Sequence, residues 1–528
     1  MEATRAFVLI GMNNHRPLSL LAAFALLALL VAPLISPLFA TEPKPNVLVF
    51  LVDDMGVMDT SVPFLSNAAG TPERHPLNRL FRTPNMQRLA DQGIRFERFY
   101  ANSVCSPTRV SIMTGQSSAR HRTTQYIKPE SNNAGKFGPP NWRWEGIAKG
   151  DQTLPARLRE AGYRTIHAGK AHFGPIDSFG SLPQNFGFDV NIAGCAYGLP
   201  GSYYGTEHFG HLKRKNRAVP GLEKYHGQDI HLTEATTREM RAAVTAAVEA
   251  EKPFFAYLSH YAVHSPFQSD KRFAANYADA KHPGPKQGPL AKNAKAFATM
   301  IEGMDKSLGD MLDHLEKLGV AKNTLVLFLG DNGSDAPLGS THGVACAAPL
   351  RGKKGTHYEG GLRVPFIAAW AKPDADHAAQ KALPIPLGKH SQAVGRVYDL
   401  VPTIAALTGA TFAGALDGVD LAPALSGKKQ ADSETFLMHF PHDHRSDYYS
   451  IWIEGDFKLV YHYHRKAGER CELFNLAEDP FEANNLASSE PEKRKAMIEA
   501  LAAVLADADA QYVRSKTDET VVLKPVVK

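Results

Sequence analysis

Asn46-Val-Leu-Val-Phe-Leu-Val-Asp-Asp-Met-Gly56 is an unbroken apolar run of strand length that stops abruptly at two carboxylates, Asp53 and Asp54. Apolar on both faces, it predicts a buried strand of a parallel sheet rather than the half-exposed strand of an antiparallel one. Asn323-Thr-Leu-Val-Leu-Phe-Leu-Gly330 repeats the pattern and runs into Asp331-Asn332-Gly333. Ligands of open α/β sheets gather outside the carboxyl ends of the strands, so both acidic groups fall where a site belongs. Three carboxylates and an amide make an all-oxygen donor set, suited to a hard cation such as Ca²⁺ or Mg²⁺ and poorly suited to zinc. Either Asp group alone is equally a helix cap or a turn. Their recurrence at two core-like strand ends argues for the site.

Outward from these strands, helix and strand patterns alternate from residue 46 to about 410. An amphipathic helix pattern over Thr153 to Gly162 precedes a strand from Tyr163, and a helix pattern over Thr233 to Ala250 precedes a strand from Pro253. The clearest helix spans Asn293 to Leu318, with Phe297, Ile301, Met304, Leu308, Met311, Leu315 and Leu318 at three- and four-residue steps. This alternation predicts an α/β fold, a large mostly parallel sheet flanked by helices on both faces. From about Ser433 the pattern shortens: Ser450 to Tyr461 reads as a hairpin with Gly455-Asp456 at its turn, and Pro491 to Tyr512 reads as a helix. These predict a smaller C-terminal antiparallel sheet plus helix. At 528 residues the chain is long for one domain, which places a catalytic domain at 41–432 and a small subdomain at 433–528.

Cys105-Ser-Pro-Thr-Arg109, running into Val-Ser-Ile-Met-Thr-Gly, puts a thiol at the mouth of a predicted helix, where the helix dipole is positive, with a full cation one turn on. Anions are welcome there. The same five residues also describe a buried cysteine, a Pro in a first turn and a surface arginine. Three basic clusters accompany them. The strand after Tyr163 delivers Lys170 and His172, whose i, i+2 spacing sends both to one side of an extended chain. The strand from Pro253 leads to His264-Ser265-Pro266, and Leu350 to Gly361 carries Lys354 in a glycine-rich loop. A lone His or Lys is ordinarily a satisfied core residue or a solvated tip; here the set carries the argument. Phe173 to Asp229, rich in Gly, Tyr, His and Pro, reads as a long insertion beside the site, of the kind that sets substrate choice. His439, His442 and His444 are placed in a loop leading the C-terminal part, from which they would reach substrate or lie solvated.

The blocks NVLVFLVDDMG, CSPTRVSIMTGQ, GKAHFG, HSPF, GDNG, LRGKKGTHYEGGLRVPF and ELFNLAEDPFEANNLA resemble, in order, those of the type I sulfatases of the alkaline phosphatase-like superfamily. The resemblance covers most of the chain. It implies that Cys105 is oxidised to formylglycine by a maturation enzyme, and that Asp53, Asp54, Asp331 and Asn332, with modified Cys105, hold Ca²⁺, Mg²⁺ being the alternative. It further implies that Arg109 and Lys170 steady the aldehyde hydrate and, with Lys354 and His264, the sulfate oxygens, and that His172 is the base for release. Gln116 stands where the family often has Arg, and the doublet Lys353-Lys354 leaves the choice of lysine open.

Those residue types suit the chemistry. A sulfate monoester spreads its charge over three oxygens, so attack at sulfur needs a preorganised cationic cradle. One hydroxyl of the hydrate attacks sulfur while the alcohol leaves, with His264 as proton donor; the other re-forms the carbonyl and expels sulfate. The expected function is an exo-acting sulfuric ester hydrolase acting on sulfated carbohydrate or aryl sulfate. A phosphonate monoester or phosphodiester hydrolase of the same superfamily is the alternative, and a non-catalytic glycan-binding protein a third reading.

Arg5, Arg16 and the apolar run from Leu18 to Ile35, followed by Ser-Pro-Leu-Phe-Ala40, read as a signal peptide over 1–40, implying a secreted or periplasmic protein; a membrane contact follows only if this leader stays uncleaved. Its removal takes Glu2, Arg5 and Arg16 and lowers the formal charge from +5 to +4, a mild bias that fits polyanionic carbohydrate, with no nucleic acid expected. Besides Cys105 the chain has Cys195, Cys346 and Cys471, so at most one disulfide forms and a disulfide scaffold is excluded.

Overall fold

The computed structural model describes residues 44–210, 217–283, 288–338, 346–429 and 434–527, so the expected leader at 1–40 lies outside the described residues. Asn46–Val52 forms β1, and β2 (Gly93–Tyr100), β3 (Arg164–Gly169), β4 (Val190–Ile192), β5 (Phe254–His260), β6 (Thr324–Gly330), β7 (Phe366–Trp370) and β8 (Lys389–Arg396) join it. Together they make an eight-stranded sheet in the order β4-β3-β5-β1-β6-β7-β2-β8. Its neighbours are parallel except where β7 meets β6 and β2. The sheet is therefore mostly parallel, as the apolar runs predict. β1 lies between β5 and β6 with Val52 paired to His260 on one side and Gly330 on the other. Asp53, Tyr261 and Asp331 consequently leave the sheet together at one edge.

Helices α1 (Pro84–Asp91), α2 (Cys105–Thr114), α3 (Leu154–Glu160), α4 (Leu232–Glu249), α5 (Lys292–Lys317) and α6 (Leu400–Thr408) cover both faces. Alternate residues of β1 serve opposite cores: Leu48, Phe50 and Val52 meet side chains of α1, α4 and α5, whereas Val47, Val49 and Leu51 meet those of α2, α3 and α6. That division is why the run is apolar throughout rather than alternating. On α5 the predicted stripe from Phe297 to Leu315 is buried, while Leu318 caps the helix and is only partly covered. Phe50 is fully buried, stacks on Phe328 at 5.5 Å and meets His260 edge-on at 5.1 Å. Phe50→Ala is expected to cost about 3–5 kcal/mol of stability by leaving a cavity between sheet and helices, read from the urea midpoint; a loss below about 1 kcal/mol would contradict this packing.

The C-terminal part forms β9 (Thr435–Phe440), β10 (Tyr449–Glu454), β11 (Phe457–His462) and β12 (Cys471–Asn475), an antiparallel sheet in the order β12-β11-β10-β9, followed by α7 (Pro491–Asp507). The β10–β11 turn places Gly455 at φ 60°, a left-handed conformation that glycine adopts without strain. One face of this sheet, with Phe436, Met438 and Ile451, completes the core above α2. The other face packs Trp452, Leu459 and Leu473 against Met497, Ile498, Leu501 and Leu505 of α7. The helix ends earlier than its expected limit at Tyr512, because Asp509 turns to φ 48°. Buried Lys458 binds Glu359 at 2.9 Å and Glu482 at 2.7 Å, a charged pin between the two sheets' elements. From Lys44 onward the chain is one compact unit.

Three local expectations need correction. His172 sits at φ 57°, so the chain is not extended there and spacing alone does not bring Lys170 and His172 to one side. Part of the 173–229 insertion is sheet: Val190–Ile192 is its edge strand, held by β3. His439 belongs to β9, buried against Ser450 and the Gln511 carbonyl, and His442 is buried between Thr124 and the Ala134 carbonyl. Of the three histidines only His444 reaches the pocket described below.

Candidate active site

α2 begins at Cys105 with Val104 as an uncapped N-cap, and all ten of its residues are buried. Pro107, in the first turn, costs no intrahelical bond there. The helix aims its N-terminus at the sheet edge where β1, β3, β5 and β6 end. Cys105 Sγ lies 3.4 Å from His172 Nδ1, and His172 Nε2 lies 2.6 Å from the Ile127 carbonyl oxygen. That carbonyl can only accept, so Nε2 carries the proton and Nδ1 presents its lone pair to residue 105. Burial, aided by the Lys170 charge, holds His172 well below the usual histidine range. The ring is a neutral acceptor facing the thiol.

Arg109, fully buried rather than on the surface, donates from Nε and Nη2 to Asp331 Oδ2 at 3.0 and 2.8 Å, and from Nη1 to Ser259 Oγ at 2.7 Å and the Lys170 carbonyl at 2.8 Å. Lys170 Nζ binds Asp53 Oδ2 at 2.6 Å. Lys354 Nζ binds Asp54 Oδ1, and His264 Nε2 lies 3.6 Å from Asp54 Oδ2. Lys353 instead pairs with Asp335 at 3.2 Å, so of the doublet it is Lys354 that meets Asp54. Gln116 donates to the Ala415 carbonyl, away from this cluster. Cys195, Cys346 and Cys471 are free thiols like Cys105.

The acidic residues converge as the strand ends predict. Asp53, Asp54 and Asp331, all buried, bring a ligand oxygen each within 4.8 Å of one another. Asn332 Nδ2 donates to Asp54 Oδ1 at 2.9 Å, and the Asp54 amide donates to Asp331 Oδ1 at 3.0 Å. Asp53 Oδ1 and Asn332 Oδ1 are buried with no hydrogen-bond donor. Two orphaned oxygens beside three carboxylates are an environment that a hard cation satisfies and that otherwise costs free energy. Burial pushes the Asp53 carboxyl up to about 6 even against Lys170. Burial and the neighbouring Asp53 charge likewise raise Asp331 to about 6. Asp54 moves the other way: against its burial, the Lys354 ammonium and then His264 hold it below the usual carboxylate range. The residues fit Ca²⁺ or Mg²⁺.

Above the cluster opens a pocket of about 270 Å³, with Cys105, His172, His264 and Lys354 at its base and Tyr126, Lys128, Arg217, His444 and Arg445 around its mouth. Arg109 and Lys170 do not line it; they lie beneath, engaged with carboxylates. A family model described as Sulfatase matches residues 45–410. The chain belongs to the sulfatase family.

The sulfatase is 28% identical over 440 residues to the N-acetylgalactosamine-6-sulfatase of Canis lupus familiaris, spanning 80% of this chain and 73% of that one. It is 27% identical over 528 residues to a protein named Sulfatase from Formosa agariphila, spanning 87% and 89% of the two chains. Its fold matches the crystal structure of Ps i-CgsB with a TM-score of 0.67 at 24% identity, covering 88% of this chain and 93% of that one. The motif reading of the sulfatase missed Ser259, which orients Arg109, and the mouth residues from Tyr126 to Pro129. Ser259 sits inside an apolar strand and the mouth residues in an irregular loop, so neither carries a spacing signal. Arg217 falls in the insertion marked for substrate choice, although nothing in the sequence singled it out.

Proposed function

We propose that this sulfatase is a calcium-dependent, formylglycine-dependent exo-acting hydrolase of sulfate esters on carbohydrate, exported by the leader at 1–40, with 41–432 carrying the site and 433–528 closing its core. The observation that carries this reading is the meeting, at one sheet edge, of Cys105, a neutral His172 facing it, and three buried carboxylates with two orphaned oxygens. A carbohydrate substrate is supported by relatives such as the N-acetylgalactosamine-6-sulfatases. Among the described residues no helix is long and apolar enough to cross a membrane.

When bound to Asp53, Asp54, Asp331 and Asn332, calcium supplies Lewis acidity, and the hydrated aldehyde made from Cys105 supplies paired hydroxyls. Around them the side chains divide the work. Lys354 and His264 face the pocket and take the sulfate oxygens. Arg109 and Lys170, locked from below, fix the carboxylates that position everything else. His172 Nδ1 takes the proton from residue 105 during release, since its Nε2–H is committed to Ile127. His264 hands a proton to the departing sugar oxygen. Burial first, and then the Lys354 charge, push His264 down to about 3, so its protonated form depends on the counter-charge an incoming sulfate brings. His172→Ala is expected to lower kcat by about 10²–10⁴-fold, with KM falling alongside it because the covalent intermediate accumulates when release is slowed, measured by steady-state kinetics; an unaltered kcat would remove it from the reaction.

Inorganic sulfate release from sulfated monosaccharides, oligosaccharides and an aryl sulfate, beside a phosphodiester, tests the whole reading. Sulfate release from terminal sulfated sugars, with no phosphodiester turnover, is the expected result. Turnover of the phosphodiester without sulfate release would overturn it in favour of the phosphonate and phosphodiester branch.

A further inference from the structure

The pocket has two tiers of cations, and the sulfate reading uses only the lower one. Lys354 and His264 serve the scissile group, whereas Lys128 and Arg217 stand at the mouth and have no part in it. Among the described residues no carboxylate lines the pocket. Arg445, also at the mouth, is committed to Asp335 through two hydrogen bonds of 2.8 and 2.9 Å. Arg217 is only half committed. Its Nη2 meets Glu130 Oε1 at 2.6 Å and its guanidinium lies 5.1 Å from the Tyr197 ring centre, contacts that fix the plane of the fork. Its Nη1 is buried and has no acceptor. A charged donor left unsatisfied when buried is costly, and the planar guanidinium fork is matched by carboxylate or sulfate oxygens. Lys128 is exposed, with its backbone tied to Asn133 and Trp144, so its ammonium adds a charge that Glu130 alone does not offset.

We propose that Arg217, assisted by Lys128, binds a second anionic group on the sugar that carries the scissile sulfate, making this enzyme selective for doubly anionic sugars. The inference rests on the sulfatase reading of the pocket. The shared chemistry is an oxyanion with paired oxygens, and its two sources are a second sulfate and a uronic carboxylate.

The test compares kcat/KM of the matured full-length enzyme on a neutral sugar bearing one sulfate, the same sugar bearing two, a sulfated uronic acid and an aryl sulfate. Wild type should favour one of the doubly anionic sugars over the singly sulfated one, and which of the two it favours names the source. Arg217→Met should erase about 10–100-fold of that preference, acting mainly through KM, with Arg217→Lys restoring part of it. Lys128→Met, at an exposed position that does not threaten folding, should erase a smaller part. Equal losses on singly and doubly anionic sugars, or a wild type without preference, would overturn the assignment. A wild type with verified formylglycine that releases sulfate from none of the four would instead refute the sulfatase reading, so the two failures are distinct.

Discussion

Cys105→Ala is expected to end sulfate release, lowering kcat by roughly four to six orders of magnitude, because the step it removes is the covalent one and residual binding cannot replace it. Cys105 is 3% exposed and its side chain is small, so the substitution should cost no more than about 1–2 kcal/mol and leave the fold intact. The comparison is therefore one of chemistry rather than of folding. Cys105→Ser sharpens it. A single hydroxyl can attack sulfur but lacks the partner hydroxyl that re-forms a carbonyl and expels sulfate, so this variant should manage at most one turnover. Steady release by either variant, at a rate near that of the matured enzyme, would take residue 105 out of the mechanism.

Removal of the cation should have the second largest effect. In the metal-free chain the buried Asp53 and Asp331 titrate near pH 6, above the value of about 4 for an unfolded aspartate. Between those values the folded state binds more protons than the unfolded one, so its stability falls as pH rises across that window. The calcium proposed for this site would bind the deprotonated carboxylates and reverse the loss. Chelation should thus abolish activity and lower Tm, and the Tm recovered on adding calcium should be larger at pH 7.5 than at pH 5. At calcium a hundredfold above its Kd the gain is about 2.7 kcal/mol by mass action. Scanning calorimetry with and without chelator at the two pH values reads this directly; a calcium effect that is equal at both, or absent, would mean that these carboxylates do not hold the ion.

Much of this site was legible because it hangs on strand ends. An apolar run that stops at Asp53-Asp54, and another that stops at Asp331-Asn332, can be read without knowing which strands neighbour which, and β5, β1 and β6 do lie side by side. The Cys-x-Pro-x-Arg signature placed its thiol and guanidinium on one helix, with Arg109 one turn beyond Cys105. Legibility ends where position depends on irregular backbone. His172 reaches Cys105 through a left-handed residue, not through strand alternation. The Ile127 carbonyl that sets its tautomer is a backbone group with no sequence signature. His439 was misplaced for the opposite reason, lying on a strand rather than in a loop, and His442, although in a loop, is buried like it; each is satisfied by partners that only the tertiary fold supplies. The antiparallel β7, an apolar run like its parallel neighbours, shows that strand direction is not written in local composition.

Preparing the protein with graded extents of maturation shows whether residue 105 as an aldehyde is the nucleophile of a sulfate ester hydrolase. The fraction of residue 105 in aldehyde form is read by peptide mass spectrometry, and sulfate release is measured on each preparation. The rate should rise in proportion to the aldehyde fraction and extrapolate to zero for the thiol. A full rate from protein that retains the Cys105 thiol would contradict it.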